Sequence, residues 1–259
     1  MLARALNSNP QIRCFGELFN KDVDFVPFDV DGYDNFDGRQ RQLRDGDFEA
    51  FLRERVFPAQ DDAQATGFKL LYGQDRDFPG LPEWLVEQED LRVVHLRRRN
   101  LLRSLVSWKI AETTGVWVEA RGGALANAAA LQQAARHPLR ALAALRRRLQ
   151  LRLAPPAAGR AGVTLTVDEC NAMFRYLQLH EIHYEMDFLS HPKLVLFYED
   201  LLDNPEDTFK EAQSFLGVEP RSLAAPIRRQ NPQPLRELLA NYDELYETFR
   251  STEYAAYFE

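Results

Sequence analysis

Cysteine is almost absent from this chain: Cys14 and Cys170 are the only two in 259 residues, and they form no Cys-x-x-Cys pair. Neither a disulfide framework nor a thiolate zinc site can be assembled from two such distant thiols, and a reducing, cytoplasmic setting fits best. Long apolar runs are lacking too. The opening MLARALNSNPQ is too short in apolar residues for a secretory signal, and no stretch approaches the ~18–20 apolar residues of a membrane-spanning helix. No GxxxxGKS or GxxxxGKT phosphate loop is present, which argues against a nucleotide kinase. No internal repeat is visible. The histidines are scattered: His95 sits in an apolar run, and His180 and His183 share a helical stretch with Glu181. They lack a third ligand, so no metal is expected.

What is present is an ordinary globular composition, 45% hydrophobic and 27% charged, with a formal charge of −7. At 259 residues the chain can bury one sizeable core. The charge is unevenly spread. Residues 121–162 hold eight arginines and no Asp, Glu or Lys, are one-third alanine, and are bounded by Gly122-Gly123 and Pro155-Pro156. The stretch reads as an insertion into a single domain spanning 1–259. Leu139, Leu142, Leu145, Leu149 and Leu153 recur at three- and four-residue steps among its arginines, the pattern of a basic amphipathic helix. Such a helix either packs its leucines on the domain or faces an anionic or membrane surface. Nucleic-acid binding has little support, because the bulk is acidic and the basic block lacks aromatic interleaving.

Residues 2–7 read as the end of a helix closed by Asn7-Ser8-Asn9-Pro10, and Ile12 to Phe15 as a short extended segment. A helix is expected near 47–55 and a helical turn over Pro82–Glu87. The apolar runs Gly67–Tyr72, Leu91–Leu96 and Leu194–Tyr198 suit buried strands. The second run leads through Arg97-Arg98-Arg99-Asn100 into a helical pattern at Leu101, Leu102, Leu105, Trp108 and Lys109. Thr166-Val167-Asp168-Glu169 has the form of a capping box opening a helix to about Phe188, and a helix over 205–216 ends at Gly217. Strands alternating with helices imply parallel pairing through crossovers, hence an α/β parallel sheet flanked by helices.

In such a sheet, ligands sit beyond the carboxyl ends of the strands, which directs attention to the arginine-rich turn after Leu96. Arg99 leaves the strand end, and Ser107, eight residues on, lies two turns along the next helix. A guanidinium and a hydroxyl so placed can converge on a phosphate. Strand alternation sends Arg98 to the side opposite Arg97 and Arg99.

The segment Arg99-Asn100-Leu101-Leu102-Arg103-Ser104-Leu105-Val106-Ser107 resembles the 3′-phosphate-binding segment of sulfotransferases. Asn7-Ser8-Asn9-Pro10 with Cys14-Phe15-Gly16-Glu17-Leu18-Phe19 resembles a stretch of the bacterial carbohydrate sulfotransferases of the trehalose and nodulation-factor type. So do Gly67-Phe68-Lys69-Leu70-Leu71-Tyr72 and Phe197-Tyr198-Glu199-Asp200-Leu201 with Pro205 and Phe215-Leu216-Gly217. Arg229-Gln230-Asn231 with Pro234-Leu235, Asn241 to Leu245 and Thr252 to Ala255 are similar to that family's cofactor-closing loop and tail.

This resemblance implies a P-loop-like fold and a transfer of a sulfuryl group from 3′-phosphoadenosine 5′-phosphosulfate to a hydroxyl of a carbohydrate or glycolipid acceptor. It also implies roles for individual residues. Arg99, Ser107, Arg229 and Gln230 would bind the nucleotide, with Arg228 competing for the role of Arg229, and Glu17 would act as general base. Glu17 could equally be a carboxylate favoured by a helix start, and Ser107 a hydroxyl bonded to its own helix. Glu199 is expected to bond backbone rather than to do chemistry. The family's phosphosulfate cradle, an Arg-Ser-Gly-Thr-like turn after a first strand, has no counterpart in these 259 residues, so that strand and loop are expected to be missing. The alternative reading is a non-catalytic remnant that binds a nucleotide or a partner.

Overall fold

A computed structural model describes residues 2–21, 38–58, 62–114, 162–223 and 231–259. The arginine-rich stretch 121–161 and the late-loop candidates Arg228, Arg229 and Gln230 lie outside the described residues. The chain divides into two compact units, one made of Met1–Arg99 with Tyr176–Arg228, the other of Asn100–Arg175 with Arg229–Glu259.

In the first unit, α1 (Leu2–Leu6) leads into β1 (Ile12–Glu17); α2 (Gly38–Gly46) and α3 (Phe48–Phe51) follow, the latter continuing as a π-helical turn over Leu52–Val56. Next come β2 (Ala65–Lys69), a 3₁₀ turn (Gln74–Asp77), α4 (Leu81–Val86) and β3 (Val93–Arg97). β1 pairs with β2 and β3 with β4 (Lys193–Phe197), both in parallel, giving two two-stranded ladders among the described residues. The parallel pairing and flanking helices agree with the α/β expectation. β4 passes without a loop into α7 (Tyr198–Asp203), where a strand was expected to include Tyr198, and α8 (Pro205–Leu216) follows. The helix α5 (Leu101–Thr114) belongs to the second unit, and the long α6 (Val167–Asp187) begins there and passes into the first. The second unit ends with α9 (Leu235–Leu238), α10 (Tyr242–Phe249) and a 3₁₀ turn at Ala255–Phe258.

Two of the helices have chemically marked ends. α6 starts at the capping box read from sequence: Thr166 Oγ1 accepts the Glu169 N–H at 3.1 Å, and the Glu169 carboxylate accepts the Thr166 N–H at 2.7 Å. α8 starts at Pro205 and stops at Gly217, whose φ of +79° is left-handed. A Cβ there would lie 2.8 Å from the Arg92 guanidinium, which donates to the Phe215 carbonyl at 2.6 Å.

Two apolar clusters hold the first unit together. One packs Phe15, Leu18, Phe19, Phe51, Leu52, Phe78 and Trp84; the other packs Leu2, Leu6, Ile12, Leu196, Leu201 and Phe209. In the second unit Phe174 meets Tyr254 and Tyr257 with centroids at 4.8 and 5.0 Å, and Tyr242 donates its hydroxyl to the Phe258 carbonyl. Among the described residues no helix is long and apolar enough to cross a membrane.

A buried amide pair ties the start of the first unit to α8. Asn9 Nδ2 donates to Gln213 Oε1 at 2.8 Å, the same oxygen accepts the Arg221 N–H at 3.1 Å, and Gln213 Nε2 donates to the Arg221 carbonyl at 3.0 Å. Gln213 is wholly buried, so its loss strands several polar groups away from water. Gln213→Met, close in shape, is expected to cost about 2 kcal/mol or more of stability, read as a lower urea midpoint with an unchanged slope.

Candidate functional site

Chemistry-bearing side chains gather at the carboxyl ends of the parallel strands, where open α/β sheets bind their ligands. The best-built group surrounds Glu17. β1 and β2 run in register from Ile12↔Ala65 to Phe15↔Phe68, and then β1 spends an extra residue, so that Glu17 rather than Gly16 faces Lys69. A bulge of this kind re-aims the following side chain, and glycine is the residue that accommodates it at least cost. The result is an ion pair, Lys69 Nζ donating to Glu17 Oε1 at 2.7 Å. The other oxygen, Oε2, accepts from Asn20 Nδ2 at 2.9 Å and from Gln74 Nε2 at 3.1 Å.

Burial by itself would push the Glu17 carboxyl up; the Lys69 hydrogen bond and charge, with the Asn20 and Gln74 donors, outweigh it and hold the group below the usual carboxylate range. Glu17 is therefore an anion at neutral pH. A carboxylate offers about four lone-pair positions, and with one donor on Oε1 it keeps capacity to accept a proton from a hydroxyl.

Three successive arginines stand at the end of β3, Arg97 closing the strand and Arg98 and Arg99 following it, and each has its own partner. Arg97 donates to Glu181. The Arg98 guanidinium stands 4.0 Å from the centroid of Tyr198, and that of Arg99 stands 4.0 Å from the centroid of Phe197. Phe197 also lies beneath Arg97, which is the alternation read from the strand. Arg99 makes a two-pronged pair with Asp200, Nη1 to Oδ1 at 2.6 Å and Nη2 to Oδ2 at 2.8 Å. The hydrogen bond to Asp200 raises the Arg99 guanidinium above its usual value, and the same bond lowers the Asp200 carboxyl. The Arg99 backbone N–H donates to Glu199 Oε2 at 3.1 Å, so Glu199 bonds backbone as its position suggested.

Ser107 belongs to the second unit, on α5, where its hydroxyl accepts from Asn231 Nδ2 at 3.4 Å. The same helix is capped by Asn100, whose Oδ1 accepts the Arg103 N–H at 2.9 Å and whose Nδ2 donates to the Tyr257 carbonyl at 2.9 Å. Neither cysteine offers a nucleophile: burial pushes the Cys14 and Cys170 thiols up to about 11.

Sequence reading missed the Asn20 and Gln74 donors and the partnership of Arg99 with Asp200. Gly16 inside a strand next to Glu17 was the available signal for the bulge. The aromatic and titratable cluster around Tyr72 and His95 was also missed.

Fold and site together define an α/β protein with an ionised, amide-braced carboxylate and an exposed arginine fork at the ends of its parallel strands. The chain is 27% identical to Nodulation protein H of Rhizobium tropici, over all of this chain and 87% of that protein. It is 26% identical to Nodulation protein H of Rhizobium meliloti strain 1021, over all of this chain and 89% of that protein. No family model and no solved structure matches.

The pH dependence of stability follows from Glu17. Its folded-state ionisation lies below the unfolded value, so its contribution is present above the unfolded carboxyl pKa of about 4.3 and is lost as pH falls through the folded one. The stability difference between wild type and Glu17→Gln should be constant from about pH 6 upward and shrink below about pH 4.3, as measured by urea unfolding at a series of pH values.

Proposed function

We propose that the protein is a sulfotransferase that moves a sulfuryl group from 3′-phosphoadenosine 5′-phosphosulfate to a hydroxyl, with a carbohydrate-type acceptor. The observation that carries this reading is the Glu17 carboxylate, kept ionised at a strand end by Lys69, Asn20 and Gln74. Similarity along the whole chain to two proteins named Nodulation protein H supports it.

The donor set around Arg99 suits an oxyanion. Asp200 fills the guanidinium fork with two parallel bonds and Glu199 takes the backbone N–H; a phosphate offers the same donors negatively charged oxygens at a similar spacing. In this reading Arg99 exchanges Asp200 for the 3′-phosphate. The resemblance of the segments that hold Ser107, Arg229 and Gln230 supports a nucleotide-binding role for those residues as well.

The acceptor oxygen attacks sulfur while the bond from sulfur to the bridging phosphate oxygen breaks; adenosine 3′,5′-bisphosphate leaves, and the acceptor proton passes to Glu17. Lys69 meanwhile fixes the position of the carboxylate. No metal enters this scheme, and charge stabilisation and positioning supply the catalysis.

Transfer of radiolabelled sulfate from the nucleotide to a panel of glycan and glycolipid acceptors by the full-length protein tests the reading. Glu17→Gln is expected to lower kcat by roughly a hundredfold or more with little change in nucleotide affinity. Normal turnover in that variant would remove Glu17 from the chemistry.

Calorimetry with adenosine 3′,5′-bisphosphate tests Arg99 separately. Arg99→Ala should weaken binding by about tenfold or more, whereas Asp200→Asn, which removes the competing charge, should tighten it. Equal affinities across the three proteins would take Arg99 out of the nucleotide site.

A further inference from the structure

Behind the Glu17 group lies a second polar constellation to which the proposed function assigns no role. The Tyr72 hydroxyl is 2.5 Å from His95 Nε2, His95 Nδ1 is 2.7 Å from Glu185 Oε1, and Lys193 Nζ donates to Glu185 Oε2 at 2.8 Å and to the Glu185 carbonyl at 2.7 Å. The Lys193 and His95 hydrogen bonds lower the Glu185 carboxyl, so it is an anion and can only accept. Glu185 accepts from His95 Nδ1–H, and Nε2 on the other side of the ring meets the Tyr72 hydroxyl. His95 is buried, which makes this chain of donors costly to break.

Tyr72 sits in the turn that delivers two of the three Glu17 donors. Lys69 ends β2 and Gln74 follows Gly73. The Gln74 side chain works in both directions, its Nε2 donating to Glu17 and its Oε1 accepting the Leu71 N–H at 2.9 Å. The path of the turn depends on a left-handed glycine, Gly73 at φ +81°, where a Cβ would lie 2.9 Å from the Tyr176 hydroxyl. That hydroxyl donates to the Tyr72 carbonyl at 3.0 Å. Tyr72 is therefore held twice, by its backbone to α6 and by its side chain to β3. Other charged and titratable groups around it are Glu181, Arg97 and Glu185, with the His180 ring stacked on its own at 5.6 Å and the Tyr184 ring at 5.3 Å.

We propose that Tyr72, His95 and Glu185 form a positioning relay that fixes the 69–74 turn and thereby holds Lys69 and Gln74 against Glu17. Tyr72 is in this sense a positioning residue, acting on the reaction through the carboxylate. A purely structural role for the relay would affect stability and leave the ionisation of Glu17 alone. A positioning role couples the two, because a turn that relaxes loosens the donors that favour the carboxylate. The consequence for turnover rests on the sulfotransferase reading; the effect on Glu17 does not.

The test is a carbon-13 NMR titration of the Glu17 carboxyl in the full-length protein and in Tyr72→Phe, with Gln213→Met as a control that lowers stability from a different part of the unit. In Tyr72→Phe the Glu17 midpoint should rise by about half a unit to one unit, while in Gln213→Met it should stay in place. His95→Leu, which removes the ring bonded to the Tyr72 hydroxyl and leaves Tyr72 intact, should reproduce the rise and serves where Tyr72→Phe does not fold.

Sulfuryl transfer measured alongside should show kcat reduced about tenfold in Tyr72→Phe with the nucleotide KM unchanged. A folded relay variant with an unmoved Glu17 midpoint overturns the proposal, whatever its activity. Absence of transfer by the wild-type protein, with the midpoint moving as expected, would sink the sulfotransferase reading and leave the relay standing.

Discussion

The extra residue that β1 spends at Gly16 is the constraint on which the candidate site depends. Side chains on a strand alternate between its two sides, so in an unbroken register Lys69 would lie opposite Gly16, and Glu17 would lie beside Leu70 on the other face. The bulge turns Glu17 back toward Lys69. The pair is partly exposed, with 26% of the Glu17 side chain and 42% of the Lys69 side chain accessible, so its contribution to stability is modest. Its effect on chemistry is larger in kind. Burial alone favours the neutral acid; the ammonium and the two amides favour the anion and fix it in place. The cost of the distorted ladder is local, and the cluster of Phe15, Leu18 and Phe19 on either side of the bulge anchors it.

Exposure also decides how the Arg99 pair should be understood. Both side chains are about half accessible, 49% for Arg99 and 46% for Asp200, and an exposed ion pair holds a fold together weakly, even one with two parallel bonds. The pair is consequently easy to exchange. In the proposed reading a multiply charged phosphate would compete with a single carboxylate for the fork, and Phe197 stands against the guanidinium. The acidic start of α7 thus has two effects. Glu199 and Asp200 suit the positive end of their own helix, and they hold the Arg99 backbone N–H and guanidinium.

Local signals in the sequence carried the elements whose ends are chemically marked. Thr166 with Glu169 announced α6, and Pro205 with Gly217 bracketed α8. The strands were found by their apolar runs, but their ends were displaced where the run outlasts the ladder. Leu70, Leu71 and Tyr72 read as strand, yet they form the turn required by Gly73. Tyr198 likewise reads as strand and opens α7, because the acidic pair that follows it favours a helix start. The π-helical turn at Leu52–Val56 left no mark in the local pattern. Leu179, Ile182 and Met186 on α6 are exposed.

The site was legible to the extent that its residues stand close together in the chain. Glu17 was picked out by the resemblance of its segment, and Arg99 with Ser107 by a spacing that is local to one strand end and the helix after it. The groups that give those residues their properties are not local. Lys69 lies 52 positions from Glu17, Asp200 lies 101 positions from Arg99, and Glu185 lies 90 positions from His95. Lysines, aspartates and glutamates are common and mostly solvated, so no spacing rule selects one from the rest until parallel strands have been laid side by side. His95 shows the consequence. Read alone in an apolar strand it was a structural histidine without a ligand set; placed between a phenol and a lysine-bound carboxylate it is the middle of a directed chain of hydrogen bonds. What the residue can do was set by its neighbours across the fold.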